Sequence, residues 1–307
     1  MADGEDIELP RAIALAWGVA AHPQRGPKRE LSIERIVEAA VEIADESGLA
    51  SVSMASVASR LGFTPMSLYR YVSAKDDLVT LMGELGLGLP PESIAEAGGW
   101  RERLRAGVDA QLGRFREHPW LLDLPIVGYP VTPHSLAWLD TALAAFAGMD
   151  LPEGDKLAIV LAVTGLTRWE GLIARGYAAA TAEGRRPEDL DVQGAAVLAQ
   201  FVTPAEFPAL FDAMSAGVFD PAAADDDATG FRFGLDRLLD GIAQYLAKAP
   251  TERPTSSGPS PDPEEVERDR DVRQAAKAVR EAEKALRAAR KVEREARARA
   301  RERHRRG

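Results

Sequence analysis

Apolar residues recur at helical spacing through most of the chain, and hydroxyl, proline and glycine residues mark where the runs start and stop. A short apolar stretch after Pro10 reads as a helix that packs on the first domain. The first clear stripe is Ile33, Ile36, Val37, Ala40, Val41 and Ala44, with Glu34, Glu38, Glu42 and Asp45 on the other side. Ser32 stands where a cap belongs, and Gly48 stops the helix. Ser53 caps the next helix, whose inner stripe is Met54, Val57, Ala58 and Leu61. Gly62 supplies the left-handed residue that a tight turn needs. Thr64 then caps a third helix with Pro65 at its first position, where a missing N–H costs nothing. Leu68 and Val72, one turn apart, must face inward, which leaves Met66, Ser67, Arg70 and Tyr71 outside. Ser73, with Asp76 three residues on, caps a fourth helix that runs to about Leu87.

Beyond the Gly/Pro-rich stretch near residue 90 the pattern stays helical. Trp100 opens a helix with Leu104, Val108, Leu112 and Phe115 inward. Residues 118–135 are irregular and rich in proline and aromatics, and a helix follows over about 133–147. After Pro152 a long apolar helix holds Gly165, Gly171 and Gly176, which weaken it unless something packs close. Two helices split by Thr203-Pro204 occupy 187–217. A polar loop then leads to a helix with Phe231, Leu235, Leu238, Leu239, Ile242 and Leu246 inward. Residues 250–263 form a Pro/Ser-rich linker that reads as disordered. From Glu264 onward Ala and Arg dominate, and one long helix is expected. Its a/d seam of Val272, Val279 and Leu286 with alanines at d is thin enough that a weak coiled coil and a single solvated helix both fit. The fold class is therefore all-α.

Composition narrows the class. The 307 residues are 46% hydrophobic and include no cysteine, which excludes disulfides and Cys-based zinc sites and fits a cytoplasmic protein. No unbroken run of about 18 apolar residues occurs, so no membrane span is expected. The net charge of −10 is unevenly spread: residues 264–307 carry 16 Lys and Arg against 10 Asp and Glu, so the rest is strongly acidic. An acidic body argues against generalised nucleic-acid binding but leaves room for a small DNA-reading surface, where local charge decides. No G-x-S-x-G, Gly-rich phosphate loop, H-E-x-x-H or cysteine nucleophile is present, so no enzyme, cofactor or metal site is expected.

Three short helices ending in an exposed polar one is the geometry of a helix-turn-helix over about 53–72. Ser53 and Ser73 place helix N-termini where backbone N–H groups meet phosphates, and Lys75 adds a charged contact. Thr64, Ser67 and Arg70 can hydrogen-bond base edges, and Pro65 and Met66 can touch a thymine methyl. Arg25, Lys28 and Arg29 form a basic arm that suits a phosphate backbone or a minor groove, and equally reads as a solvated linker. Any three-helix bundle also has a polar outer face. From Arg25 to Val79 there are 7 basic and 8 acidic residues, so phosphate attraction for one head is modest.

The segment from Leu31 to Met82 resembles the N-terminal domain of the TetR family of bacterial transcription regulators. The resemblance rests on Gly48-Leu49, Val57-Ala58 before Leu61-Gly62, Leu68-Tyr69-Arg70-Tyr71-Val72 and Lys75-Asp76-x-Leu78. It implies phosphate contacts from Ser53, Tyr69, Tyr71 and Lys75, and base reading by Thr64, Pro65, Met66, Ser67 and Arg70. Ala55 stands where some relatives carry a base-reading arginine, so their operator cannot be borrowed. The implied plan is an N-terminal arm (1–29), a DNA-binding domain (30–88), a helical ligand-binding and dimerisation domain (98–249), the linker, and a basic tail (264–307). The implied partners are a double-stranded palindromic operator, a second copy paired through the long helix and the helix near 229–249, and a small-molecule effector. Trp100, Phe115, His118, Trp120, Tyr129, His134, Trp138, Arg168, Trp169 and Glu170 are candidates for lining its pocket, and each aromatic also reads as ordinary core. None of the four histidines, His22, His118, His134 and His304, matches the positions through which some members hold a Mg²⁺–tetracycline complex. The function expected is a ligand-released repressor, and the alternative is an architectural DNA-binding or scaffold protein without a ligand response.

Overall fold

The computed structural model describes residues 10–18, 31–126, 128, 131–220 and 228–247, together with Gln274, Lys277, Ala278, Glu281 and Ala285. Two compact units divide the chain, residues 1–247 and 248–307. The described positions of the second unit are helical and exposed, and Lys277 lies 4.0 Å from Glu281 one turn on. The predicted seam positions and the arginine-rich end fall outside the described residues.

The first unit is built from α-helices joined by short 3-10 turns, with no strand among the described residues. Its head comprises α1 (Arg11–Ala16), α2 (Ile33–Ser47), α3 (Met54–Leu61), α4 (Pro65–Leu68) and α5 (Lys75–Leu87). The body comprises α6 (Ser93–Glu96), α7 (Trp100–Glu117), α8 (Pro133–Ala144), α9 (Glu153–Ala182), α10 (Pro187–Phe201), α11 (Pro208–Ser215) and α12 (Ala228–Ala247). The hydrophobic pattern did not predict two 3-10 turns, Leu49–Ser51 and Pro119–Asp123, or the short α6.

Capping explains the starts and stops of α2 and α3. Ser32 Oγ accepts from Arg35 N at 3.3 Å, and Gly48 ends α2 at φ 78°. Ser53 Oγ accepts from Ser56 N at 3.0 Å while Ser56 Oγ accepts from Ser53 N at 2.9 Å, a reciprocal capping box closed by serine at both positions. Gly62 sits in the left-handed region, and Phe63 N donates back to Ala58 O at 2.9 Å, which closes the turn. Two expectations need correction. The N-cap of α5 is Ala74, not Ser73, and it has no side-chain cap, because the helix starts one residue too late for the Ser73 hydroxyl to reach it. Helix α4 ends at Leu68 rather than Val72. Tyr71 N and Val72 N both donate to Leu68 O, at 2.8 and 3.0 Å, so the backbone closes into a tighter turn there.

The head core is Ile36, Val52, Val57, Leu68, Val72, Leu78 and Met82, each fully or almost fully buried. Phe115, Trp120, Leu121 and Leu122 of the body belong to the same cluster, so the head has no closed boundary on that side. A second core joins Leu104 and Val108 of α7, Phe146, which precedes α9, Val160 and Val163 of α9, and Leu235, Leu239 and Ile242 of α12. Gly171 justifies its place in α9: a Cβ there would stand 2.8 Å from Phe115 and 3.2 Å from Leu122. Gly165 and Gly176 face open space in the single chain. Helix α9 is long and apolar enough to cross a membrane by length and composition alone, with a mean hydropathy of 1.5 over an 18-residue window, and its Val160 and Val163 pack into the second core.

Candidate nucleic-acid interface

Leu68 and Val72 anchor the recognition segment from below with no exposed surface. That anchoring turns Thr64, Pro65, Met66, Tyr69, Arg70 and Lys75 outward, and Met66 is 76% exposed. Ser53, Ser67 and Tyr71 are half-buried, and Tyr71 packs partly against the head core. The Thr64 hydroxyl pairs with the Ser67 hydroxyl at 2.9 Å instead of capping the backbone. This couples two of the candidate base readers to one another. Phe63, in the turn, is 37% exposed beside them, and no local pattern in the sequence marks it. Arg25, Lys28 and Arg29 fall outside the described residues.

Arg60 illustrates why a cation count misleads. It is exposed, yet its guanidinium grips Glu46 through both nitrogens and reaches Glu42 at 3.5 Å. The hydrogen bond from Arg60 holds the Glu46 carboxyl below its ordinary range. Arg70 and Lys75 are thus the exposed cations on the recognition face.

The pocket candidates fall into three places. His118, Trp120, His134, Trp138 and Arg168 sit on the joint between head and body. Asp45 Oδ1 on α2 accepts from His118 Nδ1 at 2.8 Å and from Trp120 Nε1 at 2.7 Å. Glu84 on α5 accepts twice from His134, at its carboxylate from the backbone N–H (2.6 Å) and at its carbonyl from Nδ1 (2.7 Å). Trp138 Nε1 donates to Gly88 O at 2.9 Å, and Arg114 donates to Gly86 O and Leu87 O. A helix leaves its last four carbonyls without partners in the helix itself. Here the body supplies donors at the end of α5 and places a guanidinium where the helix dipole is negative.

The Pro119–Asp123 turn is gripped from the far side by α9. Arg168 donates to Leu122 O at 2.6 Å and Leu124 O at 2.8 Å, and Arg175, two turns on, to Asp123 Oδ1 at 2.6 Å. Burial, and then the Arg175 charge, lower the Arg168 pKa from its ordinary value. Trp120 is driven by this turn into the head: a Cβ on Gly86 would lie 2.7 Å from its ring.

The second place is the core: Phe115 lies against Gly171, and Trp100 stacks on Phe146 with centroids 5.9 Å apart. The third is the surface, where Trp169 is 62% exposed. Glu170 is half-buried, and Tyr129 falls outside the described residues. A cavity of about 250 Å³ opens elsewhere, between α10 and the turn after α11, lined by Leu190, Leu198, Val218 and Phe219 together with Asp191 and Asp220. No group of acidic, histidine or cysteine side chains suited to a metal occurs among the described residues. Sequence reasoning missed Asp45, Glu84 and Arg114 as joint residues, because each pairs with a group 27 to 75 positions away.

Residues 36–82 match the family described as bacterial regulatory proteins, tetR family, and residues 92–246 match the tetracyclin repressor-like C-terminal domain. The chain belongs to the TetR family. It is 32% identical over 254 residues to the HTH-type transcriptional repressor DrrR1 of Streptomyces coeruleorubidus, covering 78% of this chain and 88% of that protein. It is 26% identical to the HTH-type transcriptional repressor Rv1353c of Mycobacterium tuberculosis, over 78% of this chain and 94% of that one. Among solved structures, ActR from Streptomyces coelicolor in complex with actinorhodin shares the fold at a TM-score of 0.58 and 20% identity, covering 73% of this chain and 99% of that one. As a TetR-family member the protein is a DNA-binding transcription regulator, and residues 64–75 lie within its matched N-terminal segment.

Proposed function

We propose that this TetR-family regulator is a homodimeric repressor that reads a palindromic operator and releases it when a small molecule binds the helical body. The observation that carries the operator reading is the outward row of Thr64, Pro65, Met66, Arg70 and Lys75, standing on a buried Leu68–Val72 base. In a two-fold dimer the two rows enter successive major grooves, so spacing between heads supplies discrimination that one weakly charged head lacks. The repressor reading is supported by the names of the relatives DrrR1 and Rv1353c.

The dimer reading is supported by an apolar stripe along α9. Leu161, Gly165, Trp169, Leu172, Ile173 and Gly176 lie on one face at helical spacing and are all exposed in the single chain. Phe233 and Tyr245 of α12 are exposed as well. Four such helices, two from each copy, bury one another in a bundle.

The release reading is supported by the joint. His134 and Trp138 tie the body to the end of α5, His118 ties it to α2, and Arg168 holds the turn that seats Trp120 against the head, so an effector that shifts these contacts turns both heads. Operator affinity then falls by linkage. Binding to DNA implies a cytoplasmic protein. A gel shift on the DNA upstream of the protein's own gene tests the reading. Saturable binding that Arg70→Ala and Lys75→Ala weaken is the expected result, and no saturable binding by the unaltered chain overturns it.

A further inference from the structure

Residues 10–18 lie before both matched segments, and α1 packs along α5. They touch both halves of the first unit. Ala12 and Leu15 of α1 are buried at 3% and 7%, and Leu15 belongs to the head core. At one end Arg11 Nη2 donates to the carbonyl of Arg70 at 3.4 Å. At the other, Trp17 Nε1 donates to the carbonyl of Val131 at 2.9 Å. Val131 directly precedes Thr132, the N-cap of α8. A helix of six residues spans about 9 Å. One short rigid piece therefore reaches from the recognition turn to the start of a body helix.

The recognition turn needs outside support. Helix α4 has four residues and no side-chain cap, and α5 likewise starts without one. So short a helix has little stability of its own. Arg70 must hold a fixed direction to read a base edge, and its own backbone carbonyl is the group that Arg11 grips.

We propose that α1 is a strap, with Arg11 and Trp17 as positioning residues that hold the recognition turn against the α8 end of the body. The strap is a further route between body and head, made by side chains other than those at the end of α5, with α1 also packed along α5. A shift of the α8 start moves Val131, and Val131 moves Trp17 and α1. The inference rests on the DNA-binding reading for its affinity test but not for its exchange test.

Two conservative variants of the full chain test it. Trp17→Phe removes the indole N–H and keeps a ring, and Arg11→Met removes the donors and keeps the stem. In the absence of DNA, hydrogen exchange at the amides of Tyr71 and Val72 is expected to quicken about fivefold in each, the weight of one hydrogen bond. The melting temperature is expected to fall by no more than about 2–4 °C. Affinity for the upstream DNA is expected to fall by about the same factor, and the double variant to be little worse than either single one, as for groups acting in series. Unaltered exchange and affinity in both single variants overturn the strap. It is also overturned if Arg11→Met alone loses affinity together with about one unit of salt slope, because Arg11 is then a phosphate contact. If the unaltered chain fails to bind the DNA, the operator reading falls, and the exchange data alone decide the strap.

Discussion

Asp45 holds two donors from the body on a single carboxylate oxygen, His118 Nδ1 and Trp120 Nε1, and both rings are largely buried. A donor stripped of its partner in such a place costs about 1–3 kcal/mol. Asp45→Ala is therefore expected to lower stability by about that amount in chemical denaturation. Asp45→Asn keeps an acceptor oxygen and is expected to lose less. Gly171 gives a second test. Alanine there gains about 1 kcal/mol of helix propensity. Its Cβ would meet Phe115 at 2.8 Å, and overpacking costs about 1–3 kcal/mol, so Gly171→Ala is expected to lower the melting temperature. At the recognition face the two cations should behave differently. Arg70→Ala is expected to cost about 1–3 kcal/mol and relax the sequence preference at one base pair. Lys75→Ala is expected to weaken all sequences alike and to reduce the salt slope by about one. Titrations of cognate and scrambled DNA at several salt concentrations separate the two. Among these residues Arg70 and Lys75 were legible in the sequence, because the inward pair Leu68 and Val72 fixes which neighbours face out. Asp45 was not: on the helix pattern it belongs to the polar side with Glu34, Glu38 and Glu42, and nothing local marks the one acid that meets a tryptophan.

At the scale of elements, the apolar face of α9 carries the clearest expectation. An exposed tryptophan in line with Leu161, Leu172 and Ile173 has no reason to stay in water when a second copy can cover it. Trp169→Asp puts a charge at the centre of that surface and is expected to yield a monomer in sedimentation, with operator affinity reduced to that of one head. A dimer of unchanged mass would sink this placement of the interface. The starts of α2 and α3 and the stops at Gly48 and Gly62 were readable because capping is a local matter of one side chain and one turn. The failures share a cause. The start of α5 and the end of α4 are set by how the turn between them closes, not by Ser73 or by the next apolar residue. The Pro119–Asp123 turn was unreadable because Arg168 and Arg175, more than forty positions later, satisfy the acceptors that hold it.

At the scale of the whole molecule, charge is divided between an acidic body and a basic end. Deleting residues 250–307 is expected to leave sequence-specific binding in place while reducing its salt dependence, if the arginines of that end touch phosphates. A truncated chain that loses the operator altogether would favour a DNA-binding scaffold over a helix-turn-helix reader. The sequence by itself determined the all-α class, the capped helix that ends at Gly62, the outward positions of Thr64, Pro65, Met66, Arg70 and Lys75 and the family, because each depends on residues close together along the chain. Tertiary structure alone decided what the aromatics and histidines of the body do. His118, Trp120, His134 and Trp138 are spaced without any period that reveals a partner. Their partners, Asp45, Glu84 and Gly88, become neighbours only once α5 is seated in the body. Coupling between a DNA-reading head and its regulatory half is a property of that seat, and hydrogen bonds spanning fifty or more positions leave no local trace in the chain.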